Sequence, residues 1–222
     1  MRRLLLLLLR IFLRLILRIL RCRVPLRGTR PTPDNRPHPR LRYDLAMPNY
    51  RRLRTPGATW FFTVNLLSRR DNDLLVRHID LLRECVAAER SRRPFQINAW
   101  VVLPEHSHWL WTLPEGDTDY STRWRRIKTD FSRALPRVEP RSAIRIRNGE
   151  RAIWQRRFWE HQIRDDEDYA RHVAYIHINP VKHGHVSKSA DWPHSSFMGY
   201  VERGVYSLDW ASDVDVMMAG EI

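Results

Sequence analysis

Residues Phe95–Leu113 read FQINAWVVLPEHSHWLWTL. Two runs rich in aromatic and β-branched residues flank Pro104-Glu105, so the stretch predicts strands over 95–103 and 106–113 closed into a hairpin by a tight turn. Side chains along a strand alternate between faces. His106 and His108 therefore share one face, while Ser107, Trp109 and Trp111 share the other. The indoles are the expected core, and the imidazoles look toward whatever covers the opposite side.

Outward from this hairpin, Thr59–Leu66 (TWFFTVNL) follows Pro56-Gly57 and reads as a strand. The span 73–92 carries Leu75, Ile79, Leu82 and Val86 at helical spacing and stops at Pro94. After Pro114-Glu115-Gly116, residues 121–135 predict a helix with Trp124, Ile127, Phe131 and Leu135 inward. Pro136–Arg151 reads as a basic, irregular insertion with a short ribbon at Ile144–Arg147. A strand is expected at Phe158–Ile163, then a helix capped by Asp165 or Asp166 and limited near Asn179 by Pro180. Strand–helix–strand–strand–helix–strand is the order of an α+β, ferredoxin-like split βαβ sandwich with an antiparallel sheet.

The 222 residues are 43% hydrophobic and include nine tryptophans, enough for a sizeable core. Cys22 and Cys85 are the only cysteines, which excludes a disulfide scaffold and a Cys-rich zinc site and points to a reducing, cytoplasmic setting. The net charge of +14 is unevenly spread: residues 1–46 hold twelve arginines and two acids, leaving +4 for 47–222. Within that leader, Leu4–Leu20 is an apolar run broken by Arg10, Arg14 and Arg18 at i,i+4 spacing. Central arginines disfavour a spanning helix, and no small-residue cleavage site follows for a secretory signal. An interfacial amphipathic helix is compatible with the stripe; the favoured expectation is upstream sequence ahead of a start at Met47. The expected organisation is a leader over 1–46, one domain over 47–213 and a tail over 214–222.

Three sets of residues have chemical potential. His106 and His108 on a rigid strand can supply two ligands of a metal site with open positions, although an H-x-H alone is more often incidental. Tyr175 and Asn179 lie at i,i+4 on the last helix and could bring a phenol and an amide to the same ion; the bland alternative is a core tyrosine and an asparagine chosen as C-cap before Pro180. A phenol needs nearby positive charge or a base to act as a nucleophile at neutral pH. Dispersed cations, among them Arg125, Arg126, Lys128, Arg156, Arg157 and Lys182, suit phosphate contacts, and Asn98 and Trp100 alternate onto one face where a base could stack. Against this stands an ordinary solvated surface. No phosphate-binding loop, dinucleotide fingerprint or nucleophile elbow is present, which argues against nucleotide-driven and α/β-hydrolase mechanisms.

Trp60–Leu66, Ile97–Leu113, Trp154–Ile163 (WQRRFWEHQI) and Tyr175–Gly184 (YIHINPVKHG) together closely resemble the REP-associated tyrosine transposases, a branch of the single-tyrosine HUH superfamily. The resemblance spans about 47–213 and leaves the leader without a counterpart. It implies that His106 and His108 are the HUH pair, that Asn179 is a third metal-coordinating side chain, and that the ion is Mg²⁺ or Mn²⁺; imidazole chemistry alone favours Mn²⁺. The middle HUH residue is normally bulky and apolar, so Ser107 leads us to expect a looser core beneath the site. Tyr175 is implied as nucleophile. Tyr169 ranks below it, because Val173 stands where a metal-binding side chain would be needed. The implied activity is cleavage and rejoining of single-stranded DNA at palindromic hairpins through a 5′-phosphotyrosine, without a nucleotide cofactor, by a monomer or homodimer associated with the nucleoid. A catalytically silent hairpin-binding protein is the alternative, and a membrane partner is disfavoured.

Overall fold

The structure, a computed structural model, describes residues 52–211. The chain divides after Leu53 into two units, and the elements that follow belong to the second. The leader, Met47 and the tail over 214–222 lie outside the described residues. Among the described residues no helix is long and apolar enough to cross a membrane.

The elements are β1 (Thr59–Asn65), α1 (Leu74–Arg77), α2 (Ile79–Arg92), β2 (Gln96–Val102), β3 (His106–Thr112), α3 (Tyr120–Ala134), α4 (Ala143–Arg147), β4 (Trp159–Gln162), α5 (Asp166–Lys182), a 3₁₀ turn (Ser189–Asp191) and α6 (Phe197–Glu202). The four strands form one antiparallel sheet in the order β2-β3-β1-β4. That is the split βαβ arrangement expected from the sequence: β3 keeps its hairpin partner β2 on one side and pairs with β1 at the centre on the other.

Alternation along the strands divides the interior in two. Behind the sheet, Trp60, Phe62, Val64, Trp109 and Trp111 pack against Leu82 and Val86 of α2 and Trp124, Ile127 and Phe131 of α3. Trp111 and Trp124 stack with centroids 4.3 Å apart and planes 13° from parallel, an offset geometry that aromatic quadrupoles favour. In front, Phe61, Ala99, Val101 and Leu110 pack against Val173 and Ile176 of α5 and Tyr200 of α6. With helices on both sides, β3 is buried almost throughout.

Four local features differ from expectation. The helix expected over 73–92 is interrupted at His78 (φ −117°, ψ 39°), and the short α1 is tied to the hairpin turn by the Leu75 N–H donating to the Pro104 carbonyl. Residues 144–147 belong to a helical turn, not a ribbon, because Ser142 caps it by accepting from the Arg145 N–H. Pro180 lies inside α5, which continues to Lys182 and is capped by His183 rather than Asn179. Finally, a bulge between Ile97 and Ala99 breaks the alternation of β2. The Asn98 amide bonds Thr112 Oγ1, while Trp100 stacks on Trp109 behind the sheet.

Arg123 braces the back layer. It is 1% exposed and donates to the carbonyls of Arg93, Pro94 and Asp119 and, at 2.6 Å, to the Asp117 carboxylate. That bond holds the Asp117 carboxyl below its ordinary pKa. Removing one partner of such a pair leaves the other uncompensated. Arg123→Met is expected to lower stability by about 3 kcal/mol, read as a lower urea midpoint at unchanged m-value.

Candidate active site

His106 and His108 emerge from β3 on its front face, each nine-tenths or more buried, with ring centroids 4.9 Å apart and planes 85° apart. Both are held through Nδ1. His106 Nδ1 lies 2.9 Å from Glu105 Oε1; a carboxylate only accepts, so Nδ1 carries the proton and Nε2 presents its lone pair. His108 Nδ1 lies 2.9 Å from Thr63 Oγ1 on the neighbouring strand, a contact the β1–β3 register makes unavoidable. His108 Nε2 is buried without a hydrogen-bond partner.

α5 crosses in front. Asp165 caps it by accepting from the Asp168 N–H at 2.8 Å, and three acids in the first turn suit the helix dipole. Tyr175, Asn179 and His183 follow one another at i,i+4 spacing along this helix and its cap. The Tyr175 ring meets His108 at 5.2 Å and the His183 ring meets His106 at 5.1 Å. Asn179, midway on that row, therefore faces the gap between the two imidazoles. It is fully buried, and neither Oδ1 nor Nδ2 has a hydrogen-bond partner. Lys182 places its ammonium 5.1 Å from the Tyr175 ring centroid, a positive charge over the face of the phenol.

The electrostatics follow from burial. Desolvation, reinforced by the repulsion a second positive charge would meet from His106, His183, Lys182 and Arg69, keeps the His108 pKa well below the ordinary histidine value, so this imidazole is a neutral donor atom at pH 7. Burial would raise the Glu105 carboxyl, but the hydrogen bonds it accepts, from His106 first and also from Arg69, prevail and lower it to about 2. Glu105 thus remains an anion beside the site. A buried imidazole nitrogen and a buried amide oxygen, both unpartnered, beside a second imidazole whose Nε2 is freed by its Nδ1 bond, form a donor set that fits a divalent cation.

The chain is 52% identical over 175 residues to the REP-associated tyrosine transposase of Escherichia coli K12, an alignment covering 79% of this chain and 98% of that protein. It is 42% identical over 177 residues to a Haemophilus influenzae protein given the same family name, covering 79% of this chain and all of that one. A solved structure of a REP-associated tyrosine transposase bound to a REP hairpin matches with a TM-score of 0.66 and 51% identity, covering 79% of this chain and 98% of that one. No family model matches. The chain belongs to the REP-associated tyrosine transposases.

Other expected site residues of this transposase are dispersed. Tyr169 hydrogen-bonds Tyr200, and burial raises its pKa; it sits with the Tyr200 and Tyr206 cluster rather than with the histidines. Ser107 does not leave a slack core: its buried hydroxyl accepts from the Trp109 indole at 2.9 Å. Trp100 points to the back layer, with Arg83 over its ring. Lys128 donates to the Gln155 carbonyl and Arg156 pairs with Glu150. Arg125, Arg126 and Arg157 are exposed, the two former on α3, behind the sheet.

A second polar cluster escapes sequence reading. Asp168, 1% exposed, accepts from His161 Nε2 at 2.8 Å, from the Arg164 N–H and guanidinium, and from Arg171. His172 lies one turn on and stacks with His161 at 4.7 Å and 16°. Imidazole lone pairs lie in the ring plane, so parallel stacked rings are poorly aimed at a shared ion. With Asp168 already accepting several donors, the cluster is a hydrogen-bonded brace between β4 and α5. The only signal was the i,i+4 spacing of Asp168 and His172. Burial opposes ionisation of Asp168, but bonds from His161 and Arg164 hold its pKa far below the ordinary value. A depressed folded-state pKa contributes stability above the unfolded value near 3.9, and that stability is lost as pH falls below it. The drop in Tm from about pH 5 to pH 3 is therefore expected to be smaller in Asp168→Asn than in wild type.

Proposed function

We propose that this chain cleaves and rejoins single-stranded DNA at REP-like hairpins, with Tyr175 as nucleophile. The observation that carries the reading is the pair of buried, unpartnered ligand atoms, His108 Nε2 and Asn179 Oδ1, on the row of groups flanking the Tyr175 ring. Membership of the family and the hairpin-bound relative support the substrate class.

In this reading His106, His108 and Asn179 would hold Mn²⁺ or Mg²⁺, whose Lewis acidity polarises a phosphate oxygen. Neutral imidazoles favour Mn²⁺. Thr63 and Glu105 fix the ring orientations from behind, the usual office of groups bonded to a metal-ligating histidine. The Tyr175 oxygen attacks the scissile phosphorus as its proton passes to solvent water. The bond to the 3′-oxygen breaks, that oxygen takes up a proton, and a 5′-phosphotyrosine remains. Attack by another 3′-hydroxyl reverses the step, so the bond energy is conserved and no nucleotide is consumed. Between monomer and homodimer this reading takes the monomer, with α5 packed on its own sheet.

Incubating wild-type protein and Mn²⁺ with a single-stranded hairpin oligonucleotide is expected to give a denaturant-resistant protein–DNA adduct that Tyr175→Phe does not form. Hairpin binding without any adduct would instead identify a silent DNA-binding protein. Thr63→Val, which removes the anchor of His108, is expected to weaken Mn²⁺ binding by about 10- to 100-fold, read by electron paramagnetic resonance titration.

A further inference from the structure

β4 presents an aromatic surface that the chemistry above does not use. Trp159 is 44% exposed on this edge strand. Its place in the sheet is fixed: Thr63 of β1 pairs with His108 on one side and with Trp159 on the other. Residues directly opposite one another share a face, so Trp159, Thr63 and His108 form one row across the front of the sheet. Neighbouring strands are about 4.8 Å apart, which sets the indole roughly 10 Å to the side of the histidine.

The indole is held in position. Its ring stands edge-on to the buried Phe61 at 5.7 Å and 72°, and Phe61 makes a similar edge contact with Tyr175 at 6.0 Å and 73°. On its other flank Trp159 lies parallel to His161 at 5.9 Å and 9°. His161 is fixed by the buried Asp168 carboxylate and stacks on His172. The brace between β4 and α5 thereby becomes the foundation of a rigid aromatic ledge beside the phenol. Exposed arginines flank it along the chain: Arg157 precedes the strand, and Arg164, 68% exposed at its side chain although its Nε donates to Asp168, follows it. An exposed rigid aromatic bordered by cations is the construction that binds unpaired nucleotides, the ring taking the base and the cations the backbone.

We propose that Trp159 is a stacking platform for an unpaired nucleobase next to the scissile phosphate. The proposal rests on the single-strand DNA reading above and adds a specificity element to it: the strand at the foot of the hairpin is gripped by its base while its phosphate lies at Tyr175. Duplex DNA has no free base face to offer there, so the platform selects for unpaired flanks.

The test uses the full chain, a labelled DNA hairpin with single-stranded arms at its foot, and the same hairpin without arms, followed by fluorescence anisotropy. The arms are expected to tighten binding of wild type. Trp159→Ala is expected to lose that gain, on the order of ten- to a hundredfold, while binding the armless hairpin as wild type does. Trp159→Phe, which keeps a π-face, is expected to retain most of it. With wild-type protein, an abasic site scanned along the arms is expected to give the same loss at one position, and that position is expected to become indifferent in Trp159→Ala. Arms that add nothing in wild type, a Trp159→Ala protein that keeps the gain, or one that weakens both hairpins equally would each overturn the platform. Adduct formation with no arm effect refutes the platform alone; an arm effect with no adduct refutes the chemistry and leaves the platform standing.

Discussion

Two threonines of β1 reach across to β3 on the front of the sheet, Thr59 to the Thr112 hydroxyl at 2.7 Å and Thr63 to His108 Nδ1 at 2.9 Å. Between them they pin the register of the central strand pair. The constraint is severe because β3 is buried on both sides. A slip of one residue would turn Trp109 and Trp111 toward α5 and push the imidazoles into the aromatic back core. Packing and site geometry thus depend on the same pairing. The indoles supply the burial that makes the register stable, and the register delivers two oriented imidazoles to the helix that carries Tyr175.

Much of this was legible because it rests on alternation and spacing. The H-x-H on a strand bounded by tryptophans located the front face, and the i,i+4 pair Tyr175 and Asn179 located the helix that had to cross it. The sheet order followed from the sequence of elements. What was not legible depends on local irregularity or on contacts between distant residues. A bulge of one residue put Asn98 on the front with Thr112, while Trp100 faces the back opposite Trp109. A serine cap made residues 143–147 helical, and neighbouring bonds carried α5 past a proline that usually limits a helix. The Asp168 cluster joins residues whose types, taken singly, look like surface charge.

Charge counting was the weakest guide. Several cations that look available for phosphate are engaged internally: Arg123 with backbone carbonyls and Asp117, Arg151 with Glu139 and the carbonyls of Ser132 and Leu135 at the end of α3, Lys128 with Gln155. An arginine in sequence counts equally whether it neutralises a ligand or stitches a loop. Only burial separates the two, and it assigns many of these side chains to architecture.

Pro180 has a mechanical consequence. Proline offers no N–H, so the rung that would tie residue 180 back to the Ile176 carbonyl is missing, and the pyrrolidine ring crowds that same carbonyl. The missing rung lies between the turn bearing the phenol and the turn bearing the imidazole of His183, with the buried amide of Asn179 beside it. The helix is therefore most compliant within the span that Tyr175 and His183 bracket, and the mutual alignment of these two rings is set by the sheet underneath more than by the stiffness of the rod that carries them.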